Sequence, residues 1–137
     1  MTQSLIRVQE SDFDVSTEIA ALRKGDPRVG AVVTFLGTVR DLNDGSQVKE
    51  MTLEHYPGMT EKSLFEIENK ARKKWHLEDV FIVHRVGELK LHDPIVGVIV
   101  LSTHRKDAFD ACAFIMDYLK TEAPFWKKEN KIGRAHV

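Results

Sequence analysis

Val80–Thr103 reads VFIVHRVGELKLHDPIVGVIVLST, and its punctuation decides the fold class. Val80–Val86 and Ile95–Thr103 are rich in β-branched and apolar residues, the composition of buried strands. Gly87 and the turn-forming His92-Asp93-Pro94 stand between them. Two strands in succession break the strict strand–helix alternation of a doubly wound parallel fold.

Helices flank this pair. Upstream, Thr60–Trp75 places Leu64, Ile67, Ala71 and Trp75 on one stripe, with Glu61, Lys62, Glu66, Lys70 and Lys73 mostly elsewhere. Downstream, Asp107–Thr121 carries an unusually wide apolar stripe that includes Ala108, Phe109, Cys112, Ile115 and Leu119, and Pro124 stops it. A helix apolar on most sides is buried or packs on another chain. Toward the N-terminus, Gly30–Val39 (GAVVTFLGTV) reads as a strand buried on both faces. Arg40–Gln47 is a polar loop with an Asp44-Gly45 turn, and Val48–Tyr56 is a half-buried strand. Leu5–Val8 is a short strand. A helix opening at Ser16-Thr17-Glu18 follows and ends at Gly25-Asp26-Pro27. Phe125-Trp126-Lys127-Lys128 begins an exposed or edge segment. The order β-α-β-β-α-β-β-α-β predicts an α+β domain with antiparallel or mixed sheet, residues 1–137 forming one unit.

Composition narrows the function. The 137 residues contain 20 basic and 21 acidic side chains, a net charge of −1, which excludes a generally basic nucleic-acid coat. The single cysteine, Cys112, excludes a disulfide framework and a thiolate zinc site and fits a reducing compartment. The first ten residues lack the features of a signal peptide, so the expected location is the cytoplasm. The six histidines show no metal-binding spacing, and neither a nucleophile elbow nor a glycine-rich phosphate loop is present. Neither metal nor cofactor is expected.

What stands out is a set of cations. From Lys120 to the end there are five basic residues against two acidic ones, with Lys120 and Lys127 on either side of the corner at Pro124. His104-Arg105 sits where a strand gives way to a helix, whose N-terminus favours anions. Arg40 leaves a strand for a polar loop and offers a planar fork to phosphate or carboxylate. Cations without a nucleophile suit an anionic substrate whose reactive group is brought by another molecule.

Five stretches carry a resemblance: Gly30–Arg40 (GAVVTFLGTVR), Leu53–Thr60 (LEHYPGMT), His84–Glu88 (HRVGE), Ser102–Arg105 (STHR) and Phe114–Glu129 (FIMDYLKTEAPFWKKE). In order and spacing the chain resembles the large, catalytic subunits of molybdopterin synthase. The resemblance implies an α/β hammerhead-like fold with additional sheet. It implies sulfur transfer from the thiocarboxylated C-terminus of a small ubiquitin-like subunit to cyclic pyranopterin monophosphate, which makes the molybdopterin dithiolene. It also implies a homodimer of large subunits at the centre of a heterotetramer.

Carried onto this chain, the family's pocket falls on Thr38, Val39, Arg40, His104, Arg105, Lys120, Lys127, Lys128 and Glu129, expected to converge on one hollow. Lys120 is the expected base or nucleophile, its pKa lowered by like charges and partial burial. Lys127 is expected to hold phosphate or assist proton transfer. After Glu129 the family continues with a Gly-containing turn and a Trp-Val pair. Here the chain reads Asn130-Lys-Ile-Gly-Arg-Ala-His-Val137, so a module that binds a ubiquitin-like tail without turnover is the alternative. A small nucleic-acid binder is a further alternative, against which the net charge argues.

Overall fold

The structure, a computed structural model, describes residues 5–40 and 50–128. Their elements run β1 (Ile6–Gln9), α1 (Val15–Arg23), β2 (Ala31–Thr38), β3 (Glu50–His55), α2 (Met59–Lys74), β4 (Asp79–Arg85), β5 (Gly87–Lys90), β6 (Pro94–Ser102), α3 (Arg105–Thr121) and β7 (Phe125–Lys127). One sheet has the order β1-β4-β6-β2 and the other β5-β3-β7. Only β1 and β4 pair in parallel; the remaining ladders are antiparallel. The fold is α+β with one mixed and one antiparallel sheet.

The opening stretch supplies β4 and β6, the two interior strands of the larger sheet, which explains why both are apolar with little alternation. One face carries Ile6, Val80, Ile82, Val98 and Val100 against Leu64, Ile67 and Ala71 of α2 and Ala108, Ala111, Cys112 and Ile115 of α3. The other carries Phe81, Val83, Ile99 and Leu101 against Phe13, Ile19 and Leu22 at α1. Most of both helix stripes read from the sequence therefore meets the sheet, whereas Phe109 of the α3 stripe is exposed. Cys112 is buried there, and burial pushes its thiol up to about 11, the behaviour of an inert core cysteine.

Two expectations need correction. β2 is not buried on both faces: it is an edge strand, paired only with β6 among the described residues, and Phe35 and Leu36 are 40% and 46% exposed. Between β4 and β6 lies an additional strand, β5. It belongs to the second sheet, where it pairs with β3.

The junction that starts β2 is unusually close. Gly30 N donates to Ser102 O at 3.0 Å, and a Cβ on Gly30 would lie 2.3 Å from Thr103 O. That oxygen is backbone and cannot swing aside. Gly30→Ala is expected to cost about 2–3 kcal/mol, the range of an overpacked site, measured as a lower urea midpoint at unchanged slope.

Candidate functional site

The second sheet and the end of α3 position the candidate lysines. Leu119 and Ile115 seat the end of α3 in the core, leaving Lys120 exposed on the last turn. The helix stops as Glu122 N and Ala123 N both donate to Tyr118 O, at 2.8 and 3.2 Å. Pro124 turns the chain. β7 then adds to β3 with the register Leu53↔Lys127, Glu54↔Trp126 and His55↔Phe125. Lys128 N donates to Thr52 O at 2.7 Å and closes the ladder. Trp126 stays half-exposed, its Nε1 donating to Glu54 Oε1 at 3.1 Å.

Arg40 reaches the same end. Val39 is buried with Leu53 and Leu89, and its backbone is clamped by two hydrogen bonds: Val39 N to Asp93 O (2.9 Å) and His92 N to Val39 O (2.8 Å). Leu53 is the register partner of Lys127. Directly opposed residues of an antiparallel pair share a face, so Lys127 projects on the side of the sheet where Leu53 packs on Val39. Val39 thus ties the end of β2, with Thr38 and Arg40 beside it, to the strand that pairs with Lys127, and Lys120 lies on the helix that Pro124 joins to β7. Glu129 lies outside the described residues.

His104 and Arg105 are elsewhere. They start α3, where Gly30, Thr103, His104, Arg105 and Lys106 line an open depression of about 460 Å³. Lys106 is engaged by Asp110 at 2.8 Å, which raises its pKa through that hydrogen bond. His104 and Arg105 are exposed, and neither forms an ion pair among the described residues. With a rise of 1.5 Å per residue, fifteen residues of helix put Arg105 about 22 Å from Lys120. The expected single hollow is therefore split, within one chain, between the two ends of α3.

The corner also contains residues that sequence reasoning missed. Thr60 is fully buried. Its Oγ1 accepts from Tyr56 N at 3.0 Å and donates to Pro124 O at 3.1 Å. His84, on β4, stacks on Phe125 with ring centroids 3.7 Å apart and planes 14° apart. Both residues lie in stretches that carry the family resemblance, LEHYPGMT and HRVGE. That placement was the available signal, but it does not say what they touch.

The family model described as "MoaE protein" matches residues 8–122. The molybdopterin synthase catalytic subunit of Ralstonia nicotianae is 64% identical over 124 residues, which cover 90% of this chain and 70% of that protein. A solved structure of molybdopterin cofactor biosynthesis protein E from Burkholderia multivorans is 56% identical. It superposes with a TM-score of 0.84 over 94% of this chain and 88% of its own. A molybdopterin synthase crystal structure from Staphylococcus aureus, 30% identical, reaches 0.85 over 98% of this chain and all of its own. The chain belongs to the MoaE protein family.

Proposed function

We propose that the chain is the catalytic subunit of a molybdopterin synthase, taking sulfur from the thiocarboxylated tail of a small ubiquitin-like subunit and placing it on cyclic pyranopterin monophosphate. The observation that carries the proposal is the α3–β7 corner. Lys120 ends α3, Lys127 and Lys128 follow in and after β7, and β7 pairs with β3, whose Leu53 packs with Val39 just before Arg40, an order that supports one shared anion site. The relatives' names, which speak of a catalytic subunit, support it.

The chemistry needs cations more than a nucleophile. A thiocarboxylate and a substrate phosphate are both anions, and each charge-assisted hydrogen bond to Lys or Arg contributes about 1.5–3 kcal/mol. In each transfer the partner's sulfur forms a carbon–sulfur bond to a side-chain carbon of the pterin as that carbon's bond to oxygen breaks, the oxygen leaving as water or as the freed ester oxygen of the cyclic phosphate. The bond between that sulfur and the tail's carbonyl carbon then breaks, and water completes the tail as a carboxylate. Lys120 is assigned beside that carbonyl carbon, where it takes the acyl group or relays the proton. Lys127 and Lys128 hold phosphate, and Arg40 orients the pterin. Lys120 is exposed in the single chain, not partly buried as expected, so the docked tail is what would cover it. The lone unpaired cysteine fits a cytoplasmic setting.

The separation of Arg105 and Lys120 along α3, about 22 Å at 1.5 Å per residue, makes a second copy part of the proposal. In a homodimer, His104 and Arg105 of one subunit complete the lysine corner of the other. The exposed Phe35 and Leu36 on the β2 edge, with Phe109 60% exposed on α3, supply an apolar surface for that contact.

The direct test incubates the full chain with thiocarboxylated small subunit and precursor, reading product as a fluorescent pterin derivative. Product is expected, and its absence with both components folded overturns the proposal. The shared pocket has its own test. Lys120→Ala and Arg105→Ala are each expected to be inactive. After unfolding and refolding together they should recover about a quarter of wild-type turnover, because half the dimers are mixed and one of their two sites is intact. Recovery of nothing returns the pocket to a single chain.

A further inference from the structure

We propose that Thr60 and His84 are positioning residues: by gripping Pro124 and Phe125 they set Lys127 relative to Lys120. The inference rests on reading those two lysines as the working groups.

Lys120 belongs to a helix seated in the core by Ile115 and Leu119. Lys127 belongs to a three-residue strand at the edge of the second sheet. Their relative placement is decided by Ala123, Pro124 and Phe125, and two elements remote in sequence hold that corner. Thr60 sits on the first turn of α2, 64 positions from Pro124. A hydroxyl has one proton. Serving the start of α2 requires only that the oxygen accept from Tyr56 N, which it does. The proton is directed to the Pro124 carbonyl instead, from a side chain that is itself fully buried.

His84 holds the next residue, Phe125, by its ring. Its ring lies on Phe125 at 3.7 Å, and its Nδ1 donates to Arg85 O at 2.9 Å. His55 of β3, 6.5 Å away with planes 29° apart, borders Phe125 as well. Strand alternation puts Phe125 and Lys127 on one face of β7, so a tilt that unseats Phe125 carries Lys127 with it. Displacement of a working group by about 1 Å costs up to about a hundredfold in rate.

The test pairs each disruptive variant with one that keeps the relevant atom. Thr60→Val keeps the shape and loses the hydroxyl, whereas Thr60→Ser keeps the hydroxyl. His84→Ala loses the ring, whereas His84→Phe keeps it. Each full-length variant is assayed for sulfur transfer with thiocarboxylated small subunit, under conditions where urea titration shows it folded. Thr60→Val and His84→Ala are expected to lower kcat at least about tenfold, with KM for the precursor within about twofold. The conservative variants should stay within about threefold of wild type. Amide exchange at Lys128, whose N–H closes β7 onto Thr52 O, should accelerate in the disruptive variants alone.

Equal losses of kcat within a pair, or unchanged exchange in both disruptive variants, overturn the proposal. The lysine reading fails separately: Lys120→Ala and Lys127→Ala would then keep turnover while exchange at Lys128 still separates Thr60→Val from Thr60→Ser. If Thr60→Val does not fold, the His84 pair decides.

Discussion

Lys120→Ala is expected to abolish dithiolene formation, lowering turnover by at least about a hundredfold, the usual scale for removing an acid–base group. Folding should hardly change. Lys120 is exposed on the last turn of α3 and forms no ion pair among the described residues. Its support of the helix is confined to the dipole, about 0.3–1 kcal/mol. Lys120→Arg separates the two roles a lysine can play. Arginine keeps the positive charge but does not give up its proton near neutral pH. If Lys120 acts as base or acyl acceptor, Lys120→Arg stays as inactive as Lys120→Ala. If charge alone matters, most of the rate returns. Product is followed as the fluorescent pterin derivative, and small-subunit binding is followed in parallel by sedimentation. Normal turnover by Lys120→Ala, with binding intact, removes the residue from the mechanism.

Lys127→Ala acts differently under the same assignment. A group that holds phosphate in both ground and transition states should raise KM more than it lowers kcat.

The fold was legible where burial writes a period into the sequence. Leu64, Ile67 and Ala71 were read as one stripe of α2 and are buried together against β4 and β6. The apolar runs in β4 and β6 marked interior strands for the same reason. β2 misled because an apolar run reports that a surface is covered, not what covers it. Phe35 and Leu36 are exposed in the single chain and suit a surface that another copy covers. β5 escaped because four residues with one buried side chain, Leu89, leave too little pattern to see.

The site was legible as a set of residue types and not as a geometry. Lys120 and Lys127 flank Pro124 in the sequence, on the helix and the strand that it joins. That Val39, next to Arg40, packs on the register partner of Lys127 depends on a pairing between β3 and β7 that no local pattern announces. That Arg105 stands at the far end of α3 follows from helix length alone. The expectation of one hollow had to fail within one chain as soon as that helix ran unbroken from 105 to 121. Thr60 and His84 act on residues tens of positions away, so a reading along the chain gives them no partner.

The chain is expected to lose about 3 kcal/mol of folding stability between pH 6.5 and pH 4 through His84 alone. Burial between β4 and Phe125 drives its pKa from 6.5 down to about 4. The Arg85 carbonyl, which accepts from Nδ1, opposes part of that shift, and positive charge on His55 adds to it. In the folded chain the ring stays neutral until about pH 4, whereas in the unfolded chain it takes its proton from pH 6.5 downward. Over that window the unfolded state binds more protons, so acid favours it. Above pH 6.5 neither state is charged and the contribution is intact. Below pH 4 both are charged and no further loss occurs. A difference of about 2.5 units at 1.36 kcal/mol per unit sets the scale at about 3 kcal/mol.

Carboxylates titrate over part of the same range, so the measurement is a difference between two proteins. His84→Phe keeps the stack on Phe125 and removes the proton site. It leaves the Arg85 carbonyl without its donor, a cost of about 1 kcal/mol that does not vary with pH. Urea titrations of both proteins at half-unit steps should therefore give curves that diverge by that constant above pH 6.5 and converge, then cross, as pH falls to 4. Parallel curves across the window would mean that His84 takes up its proton in the folded chain as easily as in the unfolded one. The stack on Phe125 would then be open to water.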